Sequence, residues 1–225
     1  MNARELLSRT KAVLFDIDGT LIDSMPVWDD LGARYLISIG VTPEADLGKI
    51  LYPMTIEEGV GYLKSHYHLP QKPSEIRAGL MNLFARFYRE EVPLKEGVAG
   101  TLKKLSALRI PMVLTTIGEP ELEEAALCRL GVRQYFLHMY VCSDYQTSKK
   151  ESRIYEIAAS DLKLDPGNCL VVEDVLQAIR SANRAGFLTV AVEDAASLAD
   201  RNSLMAEADL YVRRLSELPV PEADG

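Results

Sequence analysis

A doubly wound parallel α/β sheet with a helical insert is the fold this sequence predicts, on three observations. Short, nearly unbroken runs of Val, Leu, Ile and Tyr recur at 111–116, 138–143, 168–173 and 187–192, with a shorter one at 209–212. Such runs suit strands buried on both faces of a parallel sheet. Segments of helical periodicity separate them, and alternating β and α units imply right-handed crossovers. Residues 24–92, in contrast, hold helical stripes and no convincing strand.

Each element has its own signal. The first strand is Val13, Leu14, Phe15 and Ile17, and it runs into Asp16, Asp18 and a Gly19-Thr20 turn. In the insert, Trp28, Leu31, Tyr35 and Ile39 form a stripe over 27–39. Thr55 and Glu58 make a capping-box pattern for a helix to about residue 65, and Ser74 is placed to cap a third helix carrying Ile76, Leu80, Leu83, Phe84 and Phe87. Beyond it, 98–108 aligns Val98, Leu102 and Leu105. Segment 120–130 opens with Pro and acids and stops at Gly131, 150–160 carries Ile154 and Ile157, and 175–185 stops at Gly186. The division that follows is a core of residues 1–23 and 93–225 with a helical insert at 24–92. Residues 221–225 read as a frayed tail.

Composition narrows the function. The 225 residues are 48% hydrophobic and 26% charged, enough apolar material for a sizeable core. The net charge of −8 argues against a nucleic-acid partner, whose footprint is usually basic. Cys128, Cys142 and Cys169 are far apart and form no CxxC, so they read as reduced buried thiols. No signal-peptide core is visible, and no run approaches the ~18 apolar residues of a membrane span. The expectation is a cytoplasmic protein with no membrane partner; oligomeric state is left open, and a monomer is compatible with the sequence.

Two Asp one residue apart at the end of an apolar strand demand compensation, because desolvating each would cost several kcal/mol. A bound cation is the simplest candidate. Residues i and i+2 of an extended segment project to one side, so Asp16 and Asp18 can converge. Ligands of open α/β sheets bind at the carboxyl ends of the strands. That edge collects Asp16, Asp18, Gly19 and Thr20, then Thr115 and Thr116, then Ser148-Lys149-Lys150, then Glu173 and Asp174. Either lysine of the pair could be a solvated helix start. His66 and His68 read as surface residues, His138 as the start of a strand, and Trp28 as packing before substrate platform.

The run Asp16-Ile17-Asp18-Gly19-Thr20-Leu21 resembles the first motif of the haloacid dehalogenase superfamily, and the other three positions fit its remaining motifs in order. The likeness spans essentially the whole chain and includes a helical C1 cap at 24–92, of the phosphoglycolate phosphatase/β-phosphoglucomutase-like type. It implies a Rossmann-like core and a Mg²⁺-dependent phosphatase that works through an aspartyl-phosphate on a small phosphorylated metabolite. By the same resemblance Asp16 is the nucleophile and Asp18 the general acid/base. Asp16, the backbone carbonyl of Asp18, and Asp174 hold Mg²⁺, with Glu173 behind them. Thr115 and Lys149 complete the catalytic set, and Gly19, Thr115, Thr116 and Lys149 bind the phosphoryl group. The family frame selects Lys149 over Lys150 and favours Asp174 over Glu173 as the direct ligand. Lys150, Val175, Ala178 and the stretch Thr116-Ile117-Gly118-Glu119 depart from the usual pattern, without removing a charged group.

Alternatives remain on the same frame. A sugar phosphomutase of the β-phosphoglucomutase kind would carry an arginine in the loop around 49–58, and none is there. A dehalogenase would lack Asp18. A phosphonate-cleaving enzyme would need a Schiff-base lysine; Lys49, Lys64 and Lys72 sit in no recognisable context. A silent binding module on this fold should have lost the nucleophile or the lysine, and both are present.

Overall fold

The computed structural model describes residues 3–220. In chain order the helices and strands are α1 (Ala3–Arg9), β1 (Ala12–Phe15), α2 (Val27–Ser38), α3 (Leu47–Leu51), α4 (Ile56–His66), α5 (Pro73–Arg86), α6 (Val98–Ala107), β2 (Met112–Thr116), α7 (Pro120–Arg129), β3 (Met139–Val141), α8 (Arg153–Asp161), β4 (Cys169–Glu173), α9 (Leu176–Arg184), β5 (Leu188–Val192), α10 (Arg201–Glu207) and β6 (Leu210–Val212). Short turns of 3-10 helix and one π-helical turn, Phe87–Glu91, connect them. The tail at 221–225 lies outside the described residues.

All six strands are parallel, in the order β3-β2-β1-β4-β5-β6. The predicted doubly wound sheet is therefore present. The chain fills one flank through β2 and β3, then crosses to β4 on the other side of β1. In open α/β sheets, ligands bind at the carboxyl edge beside such a reversal. Every residue of β1, β2, β4 and β5 is buried, as strands covered on both faces must be. Ala12 and Leu14 pack with Ile154, Tyr155 and Ala158 of α8. On the strand's other face Phe15 meets Phe136 edge-on, with ring centroids 6.0 Å apart.

The chain divides into two compact units, Ser24–Val92 and the flanking segments Met1–Asp23 and Pro93–Gly225. In the helical unit Trp28 tilts against Phe84 at 4.7 Å between centroids. Gly79 lets α5 approach α2, since a Cβ there would lie 2.4 Å from Cε2 of Tyr35. The capping box read at Thr55 and Glu58 forms, with backbone-to-side-chain bonds of 3.2 and 2.8 Å. In the larger unit, the segments on either side of the insert pair with each other. Asp23 N–H donates to the Pro93 carbonyl and Lys95 N–H to the Leu21 carbonyl, both at 3.0 Å, while Ile22 bridges Leu94 antiparallel.

Several expectations are corrected. The first strand ends at Phe15, so Asp16 and Asp18 do not lie in a pleated segment. Beyond it the chain curls, and the N–H groups of Leu21 and Ile22 both point back at the Ile17 carbonyl, at 2.8 and 3.0 Å. The third insert helix is not capped by Ser74. It starts at Pro73, whose fixed φ suits the first helical position, and Glu75 accepts from the Lys72 N–H at 2.7 Å. Cys128 is exposed on α7, while Cys142 and Cys169 are buried; all three are free thiols. Among the described residues no helix is long and apolar enough to cross a membrane.

Candidate active site

Strand register assembles the site. Phe15 lies level with Leu114 on one side and Val172 on the other. One step further along, Asp16, just past the end of β1, lines up in a row with Thr115 of β2 and Glu173 of β4, in strands spaced about 4.8 Å apart. The Asp16 N–H donates to the Val172 carbonyl at 2.9 Å, which fixes the row.

Lys149 comes to this row from the loop ahead of α8. Its ammonium donates to Oδ1 of Asp16 and, at 2.6 Å, to Oε1 of Glu173. Its backbone carbonyl accepts from the Ser181 hydroxyl at 2.8 Å, tying the loop to α9. Lys150 is exposed, so the two lysines are separated by burial. Tyr155 donates to the same Glu173 oxygen at 3.0 Å. Neither Tyr155 nor Ser181 was marked by the sequence: a Tyr on a helix stripe and a Ser inside a helix look like packing.

Gly19 is required twice over. Its φ is +79°, and a Cβ there would fall 2.6 Å from Oδ2 of Asp174. Its N–H donates to the Ile22 carbonyl at 3.0 Å. That contact closes the turn that follows β1. The Thr20 hydroxyl donates to Oδ1 of Asp174 at 3.3 Å. Thr115 is buried, with its hydroxyl 3.5 Å from the Phe15 carbonyl. The Thr116 hydroxyl turns away from the row: it donates to Oε1 of Glu123 at 2.5 Å and accepts from the Gly118 N–H at 2.8 Å. Glu123 is fully buried, and it too escaped the sequence reading. The signal was there, since Glu123 stands four residues before Leu127 on the apolar face of its helix.

The electrostatics show one ammonium outnumbered by carboxylates. Burial lifts the Asp16 carboxyl and the charge of Glu173 adds to it; Lys149 opposes both, leaving Asp16 at about 7. Burial, then Asp16 and Glu173, raise Asp174 well above the usual carboxylate range. Burial works against the Lys149 ammonium, but Asp16 and Glu173 outweigh it and hold the proton more firmly than usual. Asp16, Glu173 and Asp174 offer oxygens within 4.8 Å of one another, and Oε2 of the buried Glu173 has no partner among the described residues. An all-oxygen cluster with surplus negative charge and an orphaned oxygen fits a hard divalent cation.

A family profile described as haloacid dehalogenase-like hydrolase matches residues 10–186. The chain belongs to the haloacid dehalogenase-like hydrolases. This hydrolase is 30% identical over 202 residues to a phosphoglycolate phosphatase of Neisseria gonorrhoeae, covering 85% of this chain and 83% of that one. It is 24% identical to a bifunctional riboflavin kinase/FMN phosphatase of Arabidopsis thaliana, covering 96% of this chain; the chain spans about half of that relative's length, 56%. The fold matches a candidate beta-phosphoglucomutase from Thermotoga maritima with a TM-score of 0.80, at 23% identity, over 93% of this chain and 96% of that one.

Proposed function

We propose that this hydrolase is a phosphatase acting on a small phosphorylated metabolite, with Mg²⁺ as its metal and Asp16 as its nucleophile. The observation that carries the reading is the buried contact of Lys149 with Asp16 and Glu173 at the carboxyl end of the central strand. An oxygen of Asp16 attacks phosphorus, the bond to the leaving oxygen breaks, and an aspartyl-phosphate forms. Asp18 gives its proton to the leaving oxygen. It then takes one from the water that attacks the phospho-enzyme and releases phosphate. Lys149 offsets the repulsion between two anions, and Thr115 orients a phosphoryl oxygen. Asp16, the Asp18 backbone carbonyl and Asp174 would hold the metal, with Glu173 supporting them. When bound, that ion supplies positive charge against the phosphoryl group.

The helical unit Ser24–Val92 is the cap of this hydrolase and selects the substrate. Three free thiols support a reducing compartment, the cytoplasm, and the acidic net charge supports a small substrate with no nucleic-acid partner. The test is a screen of phosphoglycolate, FMN, sugar phosphates and an aryl phosphate, with and without Mg²⁺. Release of phosphate that needs Mg²⁺ and disappears in Asp16→Asn is expected. Turnover untouched by Asp16→Asn defeats the mechanism, and interconversion of sugar phosphate isomers moves the assignment to a mutase.

A further inference from the structure

A glutamate is almost never fully buried without a partner. Glu123 is 0% exposed, in the first turn of α7, on the face that also buries Leu122, Ala126 and Leu127. An apolar residue would suit that position for packing alone, since desolvating a carboxyl group is costly. What Glu123 does instead is join a chain of polar contacts. The Gly118 N–H donates to the Thr116 hydroxyl at 2.8 Å, and that hydroxyl donates to Oε1 of Glu123 at 2.5 Å. The Asp18 side chain lies beside the same carboxyl group, since Oε1 of Glu123 and Oδ2 of Asp18 both crowd the α-carbon of Gly118. No N–H or hydroxyl donor among the described residues reaches its Oε2.

The space around these groups is as specific as the bonding. A Cβ on Gly118 would fall 2.2 Å from Oε1 of Glu123 and 2.8 Å from Oδ2 of Asp18. Glycine at 118 leaves room for both carboxyl groups under the turn after β2, and a larger residue there would displace one of them. Gly118 and Glu123 thus lie against the side chain of Asp18, and Thr116 anchors Glu123 there.

We infer that Glu123 is a positioning residue: anchored by the Thr116 hydroxyl, its carboxyl group fixes the orientation of Asp18 for proton transfer at the leaving oxygen. The inference rests on the acid/base reading of Asp18 given above. Glu123 itself touches no reacting atom.

Leaving-group dependence separates this role from a merely structural one. The quantity kcat/KM covers the steps through departure of the leaving group. Acetyl phosphate releases a group that needs no proton, whereas an alkyl phosphate such as β-glycerol phosphate needs one. Glu123→Leu keeps the volume and removes the polar contacts. It should lower kcat/KM for the alkyl phosphate by about 10- to 100-fold, and for acetyl phosphate by less than about 3-fold. Glu123→Gln keeps an acceptor for Thr116 and an N–H for Asp18, and should stay within about 3-fold of wild type on both. Equal losses on the two substrates, no loss on either, or a Glu123→Gln variant as impaired as Glu123→Leu overturns the inference. If circular dichroism shows Glu123→Leu unfolded, Thr116→Val, which removes the anchoring hydroxyl, carries the same expectation and the same refutation. Asp18→Asn is the control. A flat leaving-group profile there overturns the acid/base reading itself; a steep one, with a flat profile in the Glu123 variant, overturns the inference alone.

Discussion

Replacing Gly19 by Ala tests the link between the turn after β1 and the acidic cluster of Asp16, Glu173 and Asp174, the proposed metal site. An L-residue held in the left-handed region costs about 1–2 kcal/mol. The added methyl carbon would lie 2.6 Å from Oδ2 and 2.9 Å from Cγ of Asp174, far inside contact distance. Asp174 is buried and cannot swing freely into solvent. Overpacking of that kind adds about 1–3 kcal/mol. Together these give about 2–5 kcal/mol, which for a chain of this size lowers the melting temperature by roughly 5–15 °C. The carboxylate that must move is also a proposed metal ligand, so the Mg²⁺ concentration giving half-maximal thermal stabilisation should rise about 10-fold or more. Both quantities are read from melting curves across a Mg²⁺ series. A variant that melts within about 1 °C of wild type, with the same Mg²⁺ dependence, refutes the reasoning.

Lys149→Met should lower kcat by about 100-fold or more, since it removes the ammonium beside Asp16, the proposed nucleophile; steady-state kinetics at saturating Mg²⁺ checks this. Metal-free, the same variant should lose about 3–5 kcal/mol of stability for its uncompensated carboxylates, and part should return when Mg²⁺ is added to the melt. Tyr155→Phe deletes a buried hydroxyl that donates to Glu173 and should cost about 1.5–3 kcal/mol in urea unfolding. Gly61→Ala should stabilise the helical unit by about 0.5–1 kcal/mol, because Gly61 lies mid-helix with nothing within 4 Å of a Cβ. A destabilised Gly61→Ala would show that this face of α4 is more crowded than described.

Where local chemistry decides the structure, the sequence was readable. The strand cores announced themselves because both faces are buried, and Gly131 and Gly186 end their helices at φ of 69° and 81°. The Asp-Gly-Thr turn carried its own signal, because the φ of Gly19 suits no other residue well. The start of α5 was misplaced by two competing signals: a serine that can cap and a proline that can only begin. Five-residue α3 is too short for any periodicity to register. Lys149 and Lys150 are equivalent as letters, and only tertiary contact buries one of them. Glu123 was hidden among Glu119, Glu121 and Glu124, where acids normally serve the helix dipole. Its position relative to Asp18, more than a hundred residues earlier, is a property of the folded sheet.

The paired segments Leu21–Asp23 and Pro93–Lys95 close the mouth of the insert from the core side. Whatever hangs beyond that clasp starts and finishes at one spot, and doubling its length changes the loop-closure entropy by only about 0.6 kcal/mol. Recombination at this junction can therefore exchange the helical unit while the sheet and its buried Asp16, Thr115, Lys149 and Glu173 are inherited intact. Two units carried on one gene are free to evolve at different speeds.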